Sequence, residues 1–212
     1  MEFAPPEQSR AALKKLIVSR LSNFPQTRSS GSANDLDTME PGMRVEDAAV
    51  LIPIVTRGHP QVLLTQRTDH LARHPGQIAF PGGRVDAQDY GPVAAALREA
   101  QEEVGLNPAL VETIGAMPRF ITGTGYSIVP IVALVAPNYE LEINAHEVVE
   151  AFEVPLDVLM DPAQHARKEA EFRGRARSYY EIIYGRYRIW GVTAGIIVEL
   201  YRALYAADGE QQ

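Results

Sequence analysis

The sequence predicts an α/β fold: an α/β/α sandwich around a mixed sheet, preceded by an N-terminal helical arm. Three observations predict it. Apolar runs of strand length recur at Ala48 to Val55, Val62 to Arg67 and Ser127 to Val135. Two helical patterns, Pro92 to Val104 and Thr193 to Ala207, stand well apart in the chain. Between them, Tyr179 to Trp190 alternates and turns at Gly185-Arg186, as a hairpin does. Strands mixed with well-separated helices point to helices packed on a sheet.

The elements follow in order. Pro6 to Phe24 reads as a helix with Ala12, Leu13, Leu16, Ile17 and Leu21 on an apolar stripe and Arg10, Lys14, Lys15 and Arg20 on its polar side. A helix docked on the domain is expected ahead of one lying on a membrane surface. Pro25 to Met43, rich in Ser, Gly, Asn, Asp and Pro, reads as a flexible linker. The expected division is an arm over residues 1–24, a linker over 25–44, a domain over 45–207 and a tail over 208–212. The first two strands are joined at Arg57-Gly58-His59-Pro60. Pro130 places the third run at a sheet edge, at a bulge, or starting after the proline. The closing helix buries Ile196, Leu200 and Leu204.

The helix over Pro92 to Val104 carries the chemistry. Pro92 suits the first helical position, where its missing N–H costs nothing. Val93, Leu97, Ala100 and Val104 form an apolar stripe, and Gly105 can end the helix in a left-handed conformation. Glu99, Glu102 and Glu103 stand at i, i+3 and i+4, on one face, roughly opposite that stripe. Three carboxylates so close repel one another, and a divalent cation turns that cost into attraction. Hard oxygen ligands suit Mg²⁺ or Mn²⁺. The alternative is a surface helix with a solvated acidic face. Acids near a helix C-terminus oppose the macrodipole, so this placement is unfavourable without a cation. Gly82-Gly83, upstream, lets backbone approach a phosphate or metal with no Cβ in the way.

Composition narrows the classes. At 212 residues the chain can bury a sizeable core in one domain with an arm. Its formal charge of −7 argues against nucleic acid as a partner. Without cysteine there are no disulfides, thiolate zinc sites or Cys nucleophile. No apolar leader region and no run of transmembrane length stands out, so a cytoplasmic location is expected. Monomer and homodimer both remain open.

Arg98-Glu99-Ala100-Gln101-Glu102-Glu103-Val104-Gly105-Leu106 resembles the second half of the Nudix box, G-x5-E-x7-R-E-U-x-E-E-x-G-U with U aliphatic. The first half departs twice. Asp89 stands where Glu is usual, and one residue is inserted before Arg98. Leu63-Leu64-Thr65-Gln66-Arg67-Thr68, leading through Arg73 and Gly76 to Phe80-Pro81-Gly82-Gly83, resembles the signature of the coenzyme A pyrophosphatases within that family. Here Thr68 replaces Ser or Ala, and the family's second Arg falls on Ala72, with Arg73 beside it. Ile189-Trp190-Gly191-Val192-Thr193-Ala194 and the loop Thr122-Gly123-Thr124-Gly125-Tyr126 also resemble this branch.

The resemblance implies the same sandwich fold and a metal-dependent hydrolase that cleaves the pyrophosphate of coenzyme A or its thioesters. It implies Glu99, Glu102 and Glu103 as metal ligands, with the Gly83 carbonyl beside them, and water as nucleophile. Arg98 is expected to orient a carboxylate through a bidentate pair. Arg67, Arg73 and Arg84, with Gly82 and Gly83, are the expected substrate-binding residues, together forming an anion site in an acidic chain. The general base is a helix glutamate or a later acid, Glu147 or Glu150. Trp190 and the tyrosines are expected to pack in the core or sheet. The rival substrates are ADP-ribose and dinucleotides. A non-catalytic nucleotide sensor of the same fold ranks below both.

Overall fold

The computed structural model describes residues 10–25, 44–70, 75–172 and 175–205. Most of the linker, the tail, and Ala72 and Arg73 lie outside them. The expected N-terminal helix is α1 (Arg10–Asn23), and residues 6–9 of its expected start fall outside. The chain then runs through β1 (Glu46–Val55), β2 (Gln61–Arg67), β3 (Ile78–Ala79), β4 (Gly82–Arg84), α2 (Pro92–Val104), β5 (Val111–Ala116), β6 (Phe120–Ile121), β7 (Tyr126–Val135), β8 (Val148–Pro155) and α3 (Leu156–Leu159). It closes with β9 (Ala166–Phe172), β10 (Arg175–Tyr184), β11 (Tyr187–Trp190) and α4 (Val192–Tyr205).

The centre of the main sheet is the parallel pair β1 and β7, in register from Glu46 opposite Tyr126 to Val55 opposite Val135. Every other pairing is antiparallel, so the sheet is mixed. β2 and β4 pair with β1, β5 and β6 with β7, and β3 and β8 with β2. β9, β10 and β11 form a separate antiparallel sheet whose hairpin turns at Gly185, at φ 56°.

Each face of the main sheet buries its own apolar cluster. On one face Ala95, Ala96, Ala100 and Val104 of α2 meet Leu51, Leu63 and Ile131. On the other, Ile196, Ile197 and Leu200 of α4, Leu13, Ile17 and Leu21 of α1, and Ile182 and Ile189 of the small sheet meet Ile52, Leu64 and Leu134. This is the expected α/β/α sandwich, with the small sheet as an addition. Helix α1 completes that second core, while Ala12 is exposed and Leu16 half-buried. Arg10 and Lys14 both pair with Glu112 of β5.

Pro130 corrects a sequence expectation. It lies inside β7, an interior strand, opposite Val50. Its carbonyl accepts the Met117 N–H at 2.9 Å. In a strand the N and C=O of one residue point the same way, so its missing N–H faces the break between β5 and β6 and leaves no ladder donor unpaired.

Candidate functional site

Helix α2 is built as its ends predict. Pro92 opens it, and Gly105 closes it in the left-handed conformation, at φ 68° and ψ 15°, donating to Ala100 and Gln101 carbonyls. The buried face differs from the expected stripe. Val93 is exposed and Leu97 half-buried, whereas Ala95, Ala96, Ala100, Glu103 and Val104 are buried. The glutamates are therefore not opposite the apolar face. Small alanines let the helix approach β1 and β4 closely, and that approach carries Glu99 and Glu103 inward.

The three glutamates are graded in exposure. Glu103 is 2% exposed, while the Glu99 and Glu102 side chains are 17% and 55% exposed. Glu103 Oε2 accepts the Gly82 N–H at 3.2 Å, and its Oε1 lies 3.4 Å from Arg67 Nη1. Burial pushes the Glu103 carboxyl up to about 8, against the pull of Arg67 and the Gly82 N–H and with a further push from Glu99 and Glu147. Burial also raises Glu99. Arg98 opposes that rise, and the charges of Glu102 and Glu147 add to it.

Strand β4 presses its backbone against these acids. A Cβ on Gly83 would stand 2.4 Å from Glu99 Cδ and Oε1, so the missing side chain is the space the carboxylate occupies. A Cβ on Gly82 would meet the Ala49 carbonyl at 2.4 Å. Gly82 is thus required by sheet packing, and Gly83 by the acid above it.

Arg98 links the helix to the preceding loop. Its Nε and Nη2 donate to the two Asp89 oxygens at 3.0 and 2.9 Å. Its Nη1 donates to Glu99 Oε1 and Glu102 Oε2, both at 2.9 Å, and Nη2 also reaches the Arg84 carbonyl at 3.1 Å. Arg98 and the Asp86 N–H together hold the Asp89 carboxyl below its ordinary range. In the sequence Asp89 stands out only as a departure from the family pattern. The signal for its role is the Asp86-x-x-Asp89 turn, in which Asp89 Oδ2 accepts the Asp86 N–H at 2.8 Å.

The other expected residues divide. Arg67 reaches Glu103, and its buried Nε has no hydrogen-bond partner among the described residues. Arg84 turns to Glu46, 2.9 Å away, and its hydrogen bond to Tyr126 leads the influences that keep it charged. Arg73 lies outside the described residues. Glu150 pairs with Arg186 at 2.6 Å, whereas the charge of Glu147 reaches both Glu99 and Glu103. The loop from Thr122 to Tyr126 is the turn between β6 and β7, closed by Thr122 N to Tyr126 O at 2.9 Å. Tyr180, Tyr184 and Tyr187 pack on the core. Tyr179 and Trp190 meet edge to face, with ring centres 5.8 Å apart.

Both signature segments brace β3, the strand that leads into Gly82-Gly83. Thr65 Oγ1 donates to the Ala79 carbonyl at 3.2 Å, and buried Thr193 Oγ1 donates to the Ile78 carbonyl at 3.0 Å. Gly195 has no side chain where the Phe120 ring approaches, a Cβ there standing 2.8 Å from its Cζ.

Among the described residues no three acidic or imidazole side chains stand together as a ready-made cation cage. Glu99 and Glu102 lean on Arg98, and Glu103 leans on Arg67 and Gly82. The donor set nevertheless fits a hard divalent cation. It consists of carboxylate oxygens, those of buried Glu103 and half-buried Glu99 with raised affinity for a proton, beside a backbone cradle that a Cβ would fill.

The NUDIX domain family model matches residues 45–175. The Nudix hydrolase NudL of Escherichia coli, described as uncharacterized, is 45% identical over 153 residues, covering 72% of this chain and 80% of that protein. Its Enterobacter counterpart is 43% identical over the same length and coverage. The crystal structure of DR0079 from Deinococcus radiodurans superposes with a TM-score of 0.51 at 15% identity, over 77% of this chain and 88% of that one, a likeness of fold alone. Among the described residues no helix is long and apolar enough to cross a membrane. With the domain match spanning the sheet and α2, and with relatives this similar, the chain belongs to the Nudix hydrolase family.

Proposed function

We propose that this Nudix hydrolase cleaves the pyrophosphate bond of coenzyme A or its thioesters, releasing 3′,5′-ADP and 4′-phosphopantetheine or its acylated form. The observation that carries the reaction class is the burial of Glu103, with half-buried Glu99 beside it, against Gly82-Gly83, and the charge of Glu147 bearing on both. Carboxylates drawn out of water on one helix face repel one another, and a divalent cation relieves that repulsion.

Glu99, Glu102 and Glu103 would hold Mg²⁺ or Mn²⁺, beside the Gly83 backbone. When bound, such an ion neutralises phosphate oxygens and lowers the pKa of water. The chain's own groups do the rest. Asp89 fixes the far side of Arg98, so Arg98 keeps Glu99 and Glu102 oriented. Arg67 brings positive charge beside Glu103, where an anionic substrate would approach. Glu147 takes the proton from the attacking water. Glu150 is occupied by Arg186, which favours Glu147 for that duty.

Support for coenzyme A comes from the two signature segments, from Leu63 to Thr68 and from Ile189 to Ala194. Their threonines hold the strand entering the glycine pair, so they act on the shape of the site. The test is chromatographic identification of products with Mg²⁺ or Mn²⁺, offering coenzyme A, ADP-ribose and NADH side by side. Release of 3′,5′-ADP from coenzyme A is expected. Cleavage of ADP-ribose or NADH with coenzyme A left intact would overturn the substrate. Binding without any product would indicate a sensor.

A further inference from the structure

We propose that Asn144 is a positioning residue that sets the Glu147 carboxylate against the helix glutamates. The inference rests on the reading of Glu147 as the general base. Asn144 lies in the loop between β7 and β8, and its polar groups join α2 to that acid. Its N–H donates to the Glu103 carbonyl at 2.9 Å. Its carbonyl accepts the Glu147 and Val148 N–H groups, each at 2.9 Å. Its Oδ1 accepts the His146 N–H at 3.1 Å, and its Nδ2 donates to Glu147 Oε1 at 3.3 Å. One residue therefore touches both the helix turn that carries Glu103 and the Glu147 carboxylate.

The loop backbone has further anchors. Glu142 N–H donates to the Val104 carbonyl at 2.9 Å. Thr68 N–H donates to the Glu147 carbonyl at 3.0 Å, and Thr68 Oγ1 to the His146 carbonyl at 3.3 Å. These fix the path of the chain but not the direction of the acid. Among the described residues, the Asn144 amide makes the hydrogen bond that reaches the Glu147 carboxylate itself. A carboxylate whose charge bears on two others is pushed away from them unless something holds it, and a neutral donor holds it without adding charge. An aspartate at 144 keeps the turn acceptor for His146. It replaces the donor with an oxygen that repels Glu147.

The test is a double-mutant cycle of Asn144→Asp and Glu147→Gln, read as kcat and KM for the hydrolysed nucleotide. Asn144→Asp alone should lower kcat about 10- to 100-fold with KM little changed, the usual scale for an outer contact that orients a catalytic acid. In the Glu147→Gln background the same substitution should cost less than about twofold, because its target is gone. Asn144→Ser, which keeps an oxygen for the turn and loses the amide, should follow in the same direction and guards against a folding defect in the aspartate variant. Equal losses in both backgrounds, or full kcat in Asn144→Asp and Asn144→Ser, would overturn the proposal while leaving Glu147 as base. Normal turnover in Glu147→Gln alone would overturn both.

Discussion

Arg98 grips Asp89 with two parallel hydrogen bonds, Nε to Oδ1 at 3.0 Å and Nη2 to Oδ2 at 2.9 Å. Aspartate is one methylene shorter than the glutamate usual in the family pattern, and the chain carries one extra residue before Arg98. The two departures compensate, since the longer connection brings the shorter acid within reach of the guanidinium. Asp89→Asn should weaken this anchor and leave Arg98 free to neutralise Glu99 and Glu102 more fully. A loss of roughly 10- to 100-fold in kcat/KM and in Mn²⁺ affinity is expected, measured by turnover and by metal titration. Unchanged metal affinity would show that Asp89 serves only the loop.

Glu103 gives a pH signature in the metal-free protein. Its carboxyl titrates near 8 when folded and near 4.5 as an unperturbed group. Between those values the folded state binds a proton that the unfolded state has released. Stability therefore falls as pH rises through this window and levels off above it. Thermal melts in EDTA from pH 5 to pH 9 should show this loss in the wild type and much less of it in Glu103→Gln. That variant should fold and yet lose turnover. Parallel melting curves for the two proteins would contradict the burial of an ionising acid here.

The glycine pair separates stability from activity. Gly82→Ala drives a methyl against the Ala49 carbonyl and the Val50 Cα, at 2.4 and 2.6 Å, and backbone cannot step aside. It should destabilise by roughly 1–3 kcal/mol, the scale of overpacking. The three atoms nearest the methyl of Gly83→Ala all belong to the end of the Glu99 side chain. The melting temperature of this variant should stay near wild type while activity falls at least about tenfold, as for a displaced ligand. Comparing melts and turnover for both variants checks the distinction.

How much of this was legible in the sequence depends on the range of the interaction. Pro92 and Gly105 act within a turn of their own helix, and both ends of α2 follow from them. The strands from Ala48 and Val62 are found with one or two residues added at their starts. The buried side of α2 was legible in part: Ala100 and Val104 lie on the expected stripe, but close packing selected the small Ala95 and Ala96 where periodicity favoured the larger Val93 and Leu97. That choice turned Glu103 inward. Asn144 and Arg84 depend on partners distant in the chain or set by strand register, Glu103 for one and Glu46 for the other, and local pattern carries no trace of them. Pro130 was misplaced because the break between β5 and β6 is a property of the assembled sheet.

Thr193 tests the bracing of β3. Thr193→Val removes a buried donor and leaves the Ile78 carbonyl without it. The expected cost is about 1–3 kcal/mol of stability by chemical denaturation. Thr193→Ser keeps the hydroxyl and should recover most of it. Equal stability of the Val and Ser variants would remove the hydrogen bond from the account.

The most direct test of the central claim is calorimetric titration of the protein with Mg²⁺ near pH 7, in buffers of different ionisation enthalpy. Glu103 holds its proton up to about 8, so a cation that binds it must expel that proton. Release of roughly one proton on binding is expected in the wild type, and weaker binding without that release in Glu103→Gln. Tight Mg²⁺ binding with the same proton balance in both proteins would contradict a cation held by the buried glutamate.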